Sequence, residues 1–138
     1  MLHLDYVSSG AIARELGYTG WADDAALWAN LLPVLRPDVI VDGFPRKERQ
    51  VSLWQEATET TGVVLRLECR PSVAFRRMLA RQDQYPPSDL RYREAPSLDL
   101  VREERRLLLG VSADFSIDTT ERTTEETVNA FLDWWIDR

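Results

Sequence analysis

Residues 39–46 read Val39-Ile40-Val41-Asp42-Gly43-Phe44-Pro45-Arg46, a β-branched run that stops at an Asp-Gly turn and restarts at a proline. A second apolar run, Val63-Val64-Leu65-Arg66-Leu67, follows some twenty residues later. Short apolar runs bounded by turn residues predict two buried strands. Residues 46–60 between them are polar, with Val51, Leu53, Trp54 and Ala57 at mixed helical spacing. That is long enough for a crossover helix, so the stretch predicts a βαβ unit. The fold class is α/β, a parallel sheet with flanking helices.

The rest of the chain extends the pattern. A third run, Phe115-Ser116-Ile117-Asp118, leads into Thr123-Thr124-Glu125-Glu126, where Thr123 and Glu126 have capping-box spacing. In the terminal helix that follows, Val128, Phe131, Leu132 and Trp135 recur at i, i+3, i+4 and i+7, a stripe expected to pack on the sheet with Trp135 in the core. Near the N-terminus, a strand that takes in residues 1–5 is read before Ser8, Ser8-Ser9-Gly10 as a small turn, and residues 11–16 as a helix start with Gly17 close to a C-cap position. Another helix is expected over 23–35, closed by Pro37. Residues 82–97 hold Pro86, Pro87 and Pro96 among charges and predict an exposed, mobile loop, followed by an arginine-rich helix over 101–109. No internal repeat or low-complexity tract interrupts the chain.

Composition narrows the functions. The 138 residues fit one domain, 1–138, that buries roughly two thirds of its unfolded surface. With 44% hydrophobic and 29% charged residues, neither disorder nor a disulfide-built scaffold is expected. Cys69 and His3 are the only residues of their types, which excludes a Cys/His zinc site, an intrachain disulfide and a dyad needing an interior histidine. No run of 18 uncharged apolar residues occurs, and Met1-Leu2-His3-Leu4-Asp5 lacks the basic and long apolar regions of a secretory signal, so no membrane span is expected and the location is expected to be cytoplasmic. A net charge of -6 argues against a nucleic-acid partner. Lys47 is the only lysine among 17 basic residues. The rest are arginines, suited to bidentate contact with phosphates, although a coding bias gives the same excess.

A strand that ends in Asp42 sets a carboxylate at the carboxyl edge of a parallel sheet, the usual ligand crevice of α/β folds. If Pro45 opens the helix, Arg46 and Gln50 lie on one helical face, a guanidinium fork beside an amide. The same residues also fit a plain solvated helix start.

The string Asp42-Gly43-Phe44-Pro45-Arg46 resembles the signature of the adenylate kinase family of nucleoside monophosphate kinases. The resemblance implies that Arg46 holds the acceptor phosphate, Gln50 reads its base, and Asp42 sits in the water shell of magnesium. Ser8-Ser9-Gly10 with Arg14 is similar to the family's Ser-Thr-Gly segment and its phosphate-binding arginine, with Ser9 in the threonine's place and Ala11 where the family has an acid. Pro71 with Arg76, Arg77 and Arg81 is similar to the helix before the lid, whose arginines contact the donor nucleotide and the transferring phosphoryl group. Arg91, Arg93, Arg102 and Arg105 are candidates for the lid's arginines. Asp118-Thr119-Thr120 and the helix after Thr123 resemble the family's last strand and helix. The likeness runs from about Tyr6 to the C-terminus. It implies nucleotide-binding roles for Ser9, Arg14, Asp42, Arg46 and Gln50, phosphoryl contacts for Arg46, Arg77, Arg81 and Arg105, magnesium near Asp42, and ATP as donor.

The departures from the family are as specific. The loop G-x-x-x-x-G-K-[ST], whose amides and lysine cradle donor phosphates, occurs nowhere in the 138 residues. The expected architecture is therefore a three-layer P-loop kinase fold missing its first strand, with residues 82–98 as a reduced lid. The segment between Arg14 and Arg46 is short for the family, which reduces the acceptor clamp. Three readings stand: a kinase whose first strand and loop were lost by truncation or a misassigned start or are supplied by another chain, a catalytically inactive nucleotide-binding or protein-interaction module, and a structural α/β domain. In the family the missing strand is central, so its neighbours are expected to close directly on one another, or a homodimer or partner chain is expected to complete the sheet.

Overall fold

The computed structural model describes residues 4–15, 24–36, 39–58, 62–86, 88 and 97–138. The chain forms two compact units, Met1–Gly62 and Val63–Arg138. It is mixed α/β, with two separate two-stranded parallel sheets.

In the first unit, β1 (Asp5–Ser8) runs directly into α1 (Ser9–Glu15). Helix α2 (Asp24–Leu31) passes into a 3-10 turn, Leu32–Val34, with a proline at its start, before β2 (Val39–Asp42) and α3 (Glu48–Thr58). The ladder pairs Asp5 with Val39 and Ser8 with Asp42, and an exposed Arg36–Asp5 ion pair lies at its amino end. Leu31 is fully buried. Phe44 lies between two tryptophans, stacked on Trp28 at 5.9 Å and edge-on to Trp54 at 6.3 Å, which anchors the segment that follows β2.

In the second unit, β3 (Leu65–Glu68) leads to α4 (Pro71–Gln82), α5 (Leu98–Leu109), β4 (Phe115–Asp118) and α6 (Thr124–Ile136). Pro71 sits in the first turn of α4, where a missing N–H costs nothing. The Ser97 hydroxyl accepts from the Leu100 amide at 3.1 Å and starts α5. At α6 the expected capping box is complete: Glu126 N–H donates to Thr123 Oγ1 at 3.1 Å, and Thr123 N–H to Glu126 Oε2 at 2.8 Å. Val101, Val111 and Ile117 form the buried core. Arg66, half-buried beside it, donates to the Val111 carbonyl at 2.7 Å and to Glu68 at 2.8 Å.

Several expectations are corrected. The Val39–Asp42 strand takes β1 as its ladder partner, and the Leu65–Glu68 strand takes β4. The parallel pairs within the units are thus β1 with β2 and β3 with β4. The strands are also less buried than their composition predicts: Ile40 is 49% exposed and Leu67 63%. A two-stranded ribbon shields little, so each sheet keeps one largely bare face. On α6 the inward stripe is Thr127, Ala130, Phe131 and Trp134, with Phe131 and Trp134 against Phe115 at 6.0 and 5.1 Å. Val128, Leu132 and Trp135 are exposed, so Trp135 is not core. The helix is turned by one residue because the Phe115 ring gathers the two aromatics that can reach it together.

Gly17, Pro37, Pro87, Arg91, Arg93 and Pro96 lie outside the described residues, as does most of the expected 82–98 loop. Among the described residues no helix is long and apolar enough to cross a membrane.

Candidate functional site

The β1–β2 register sets Ser8 opposite Asp42, so the end of one strand and the start of α1 meet the Asp-Gly turn. Ser9, fully buried, donates its hydroxyl to the Asp42 carbonyl at 2.8 Å across 33 residues of sequence. Ser8 Oγ accepts from the Ala11 amide at 3.2 Å and holds the first turn of α1. Gly43 then turns with φ 75°, a left-handed conformation that glycine adopts without a Cβ penalty. A Cβ there would stand 2.9 Å from Ser9 Oγ and 3.9 Å from Arg46 Nη2, so Ser9 and Arg46 border the same small space above the glycine. Arg46 reaches back over the turn, its Nε donating to the Gly43 carbonyl at 3.2 Å. Arg14 folds back along α1, its Nη1 3.2 Å from the place a Cβ on Gly10 would take.

Asp42 carries the carboxylate of this edge, and Tyr6 donates its phenol to Oδ2 at 2.9 Å. That bond, then burial and the negative charge of Asp42, raise the Tyr6 phenol above its ordinary pKa. Sequence reading gave Tyr6 no role. The available signal was alternation: Tyr6 and Ser8 share a face of β1, and Asp42 is the diagonal neighbour of Tyr6 on β2.

Gln50 departs from expectation. Helix α3 begins at Glu48, so Arg46 precedes the helix and does not share a helical face with Gln50. Instead the Gln50 side chain, 2% exposed, accepts the Arg46 backbone N–H on Oε1 at 2.7 Å. The Gly43 turn and the following non-helical residues delay the helix start, and the amide supplies the acceptor that an earlier turn would have given.

The second unit holds a cleft of about 600 Å³ between α4 and α5 at the carboxyl end of β3. Arg77, Arg81 and Arg105 all line it, together with Glu104 and apolar Met78 and Leu108. Arg77 is tied to the end of β4, donating to Thr119 Oγ1 at 3.1 Å and to the Thr119 carbonyl at 2.8 Å. Arg81 donates from Nε to the Arg77 carbonyl at 3.3 Å. Asp118 beside this edge is held below the usual carboxylate range, first by hydrogen bonds from Thr120 and then by the charges of Arg70 and Arg105. Cys69 also lines the cleft. Arg76 is exposed on α4 and is not among the lining residues, and Arg102 pairs with Asp99 at the surface.

Of the residues singled out in the sequence, Ser9, Asp42, Arg46 and Gln50 are thus joined around one turn of the first unit. Arg14 folds over the adjoining helix start, and Arg77, Arg81 and Arg105 share one cleft of the second. Among the described residues no three His, Cys, Asp or Glu side chains form a group that could hold a metal ion by themselves. No protein family, curated protein or solved structure matches the chain.

Proposed function

We propose that the chain is a nucleoside monophosphate kinase-like protein that binds a monophosphate by its phosphate at the Ser9–Gly43–Arg46 turn. The observation that carries this reading is the Ser9 bond to the Asp42 carbonyl. It draws together two short segments, Ser8-Ser9-Gly10 and Asp42-Gly43-Phe44-Pro45-Arg46, that resemble the family separately. Arg46 and Arg14 supply the guanidinium groups, and two forks can neutralise one phosphate dianion through charge-assisted hydrogen bonds. Parallel ladders within each unit, and three arginines lining one cleft, are consistent with the same reading.

Magnesium fits the first unit in a limited sense. It keeps most of its waters and needs one or two carboxylates beside substrate phosphates, and Asp42 offers one. A bound ion would supply charge neutralisation between phosphates. The donor side of ATP does not fit: the 138 residues hold no G-x-x-x-x-G-K-[ST] loop, so no transfer step is assigned to them. This favours a second reading, a nucleotide-binding module without phosphoryl transfer.

Calorimetric titration of the chain with AMP, CMP and UMP tests both. Weak, salt-sensitive heats are expected that vanish in Arg46→Ala. An unchanged affinity in that variant removes the acceptor site. A coupled assay is expected to show no ADP formation by the chain alone, and turnover at ordinary kinase rates would remove the second reading.

A further inference from the structure

We infer that the cleft of the second unit binds a small amphipathic anion, an oxyanion head on an apolar chain, with the head at Arg81 and Arg105 and the chain along Met78, Leu108 and Leu109. The inference is independent of the phosphate site proposed for the first unit, and either can fail without the other. The cleft's volume of about 600 Å³ lies in the range of small-molecule sites. Arg77, Met78 and Arg81 share one face of α4, and Arg105, Leu108 and Leu109 share one face of α5, because each set is spaced by about one helical turn. All six line the cleft, so each helix brings guanidinium and apolar surface to it together.

Charge decides the head. Arg66 is paired with Glu68 at 2.8 Å, which leaves Glu104 as the carboxylate of the lining set against Arg77, Arg81 and Arg105. Even with Asp118 acting on Arg105 from beside the cleft, positive charge is in excess. The three arginines differ in what they have left to give. Arg77 donates twice to Thr119, and Arg81 donates from Nε to the Arg77 carbonyl. Among the described residues, the Nη groups of Arg81 and the guanidinium of Arg105 have no hydrogen-bond partner. Unused guanidinium donors suit a carboxylate or phosphate head. The arginines are exposed, and water screens an exposed ion pair, so charge alone holds an anion weakly. The apolar lining supplies the rest: Met78 and Leu108 are half-buried and Leu109 is 41% exposed, which leaves surface for a chain to cover. A phosphoryl contact, which the resemblance implies for the same arginines, uses none of that surface.

Hexanoate, octanoate, decanoate, octyl phosphate, octanol, inorganic phosphate and ATP are titrated separately into the full chain, followed by calorimetry and by the amide resonances of α4 and α5. The acids and octyl phosphate are expected to move the resonances of residues 77–81 and 105–109. Each further methylene of the acids should tighten binding about two- to fourfold, the share of one CH2 that leaves water. Octanol and inorganic phosphate each lack one half of the ligand and should bind about tenfold more weakly than octyl phosphate. Arg81→Gln and Arg105→Gln should each weaken octanoate by about tenfold and leave octanol unchanged. The tighter of octanoate and octyl phosphate names the head. Affinity that ignores chain length, or inorganic phosphate bound as tightly as octyl phosphate, overturns the inference. So does octanol bound as tightly as octanoate. ATP bound at the same resonances more tightly than any of the chains also overturns it and assigns the cleft to a nucleotide. If the arginine variants do not fold, the comparison of octanoate with octanol in the unsubstituted chain decides.

Discussion

Substituting Gly43 by alanine sets two separate costs against each other within one turn. The first is conformational. Gly43 has φ 75°, and an L-residue held in the left-handed region costs about 1–2 kcal/mol. The second is contact. The new Cβ would stand 2.9 Å from Ser9 Oγ, closer than such atoms pack, and Ser9 is fully buried with its hydroxyl committed to the Asp42 carbonyl at 2.8 Å. If Ser9 gives way, that bond is lost inside the protein at about 1–3 kcal/mol. Together the substitution should destabilise the first unit by about 2–5 kcal/mol. Urea titration, read from the backbone amides of β1 and β2, should place the midpoint about 0.7 M or more lower, given typical m-values of about 1–3 kcal/mol/M. Gly43→Asn isolates the contact, because asparagine tolerates a positive φ yet carries the same Cβ. Gly10→Ala is the control: its Cβ would meet the flexible end of Arg14 at 3.2 Å and Ser8 Oγ at an ordinary 3.8 Å, and alanine suits a helix better than glycine. A Gly43→Ala protein within about 0.5 kcal/mol of the original would refute the account of the turn, since surface changes away from such features stay inside that band.

Thr123→Ala should cost about 1 kcal/mol through loss of the α6 cap, measured as a lowered midpoint of the second unit. The Thr123 backbone N–H holds Glu126 below its ordinary 4.5, so its contribution is fully present above that value and is lost as pH falls through the lower folded-state value; a Glu126→Gln melting profile should lose that acid-side dependence. Phe115→Ala should destabilise the second unit by about 2–3 kcal/mol, at the low end for a half-buried ring, and shift tryptophan emission, because Trp134 stands 5.1 Å from that ring.

How much of this was legible from the chain depends on what each residue type encodes. Val39-Ile40-Val41 and Phe115-Ser116-Ile117 announce strands because β-branched and aromatic residues suit a pleated backbone, and both are strands. Thr123 and Glu126 announce a helix start because the capping box is local chemistry, complete within four residues. Ladder partners are not local. Nothing in Val39-Ile40-Val41 points to Asp5–Ser8 as its neighbour, and that pairing falls to long-range packing. The rotation of α6 was ambiguous for a related reason: Trp134 and Trp135 are adjacent, each continues an apolar stripe, and only the place of Phe115 selects Trp134. At Gln50 the spacing from Arg46 was visible, but not the hydrogen bond that the Arg46 backbone N–H donates to its Oε1, which depends on α3 starting only at Glu48.

What the two sheets share is where their chemistry collects. The first ladder ends on Ser8 and Asp42, the second on Glu68 and Asp118, and in both the polar groups that follow lie at the carboxyl ends of parallel strands. In the first unit Ser9 donates to the Asp42 carbonyl and Arg46 Nε to the Gly43 carbonyl. In the second, Thr119 and Thr120 follow at once, and Thr119 receives two hydrogen bonds from Arg77. That tether ranks the arginines of the cleft. Two of the five N–H donors of Arg77 are already committed to the Thr119 hydroxyl and carbonyl, so the guanidinium is held in one orientation in the folded protein. Arg105 stands instead within the field of Asp118, whose carboxylate it helps to hold ionised. An anion entering the cleft would therefore meet an Arg77 already oriented by Thr119.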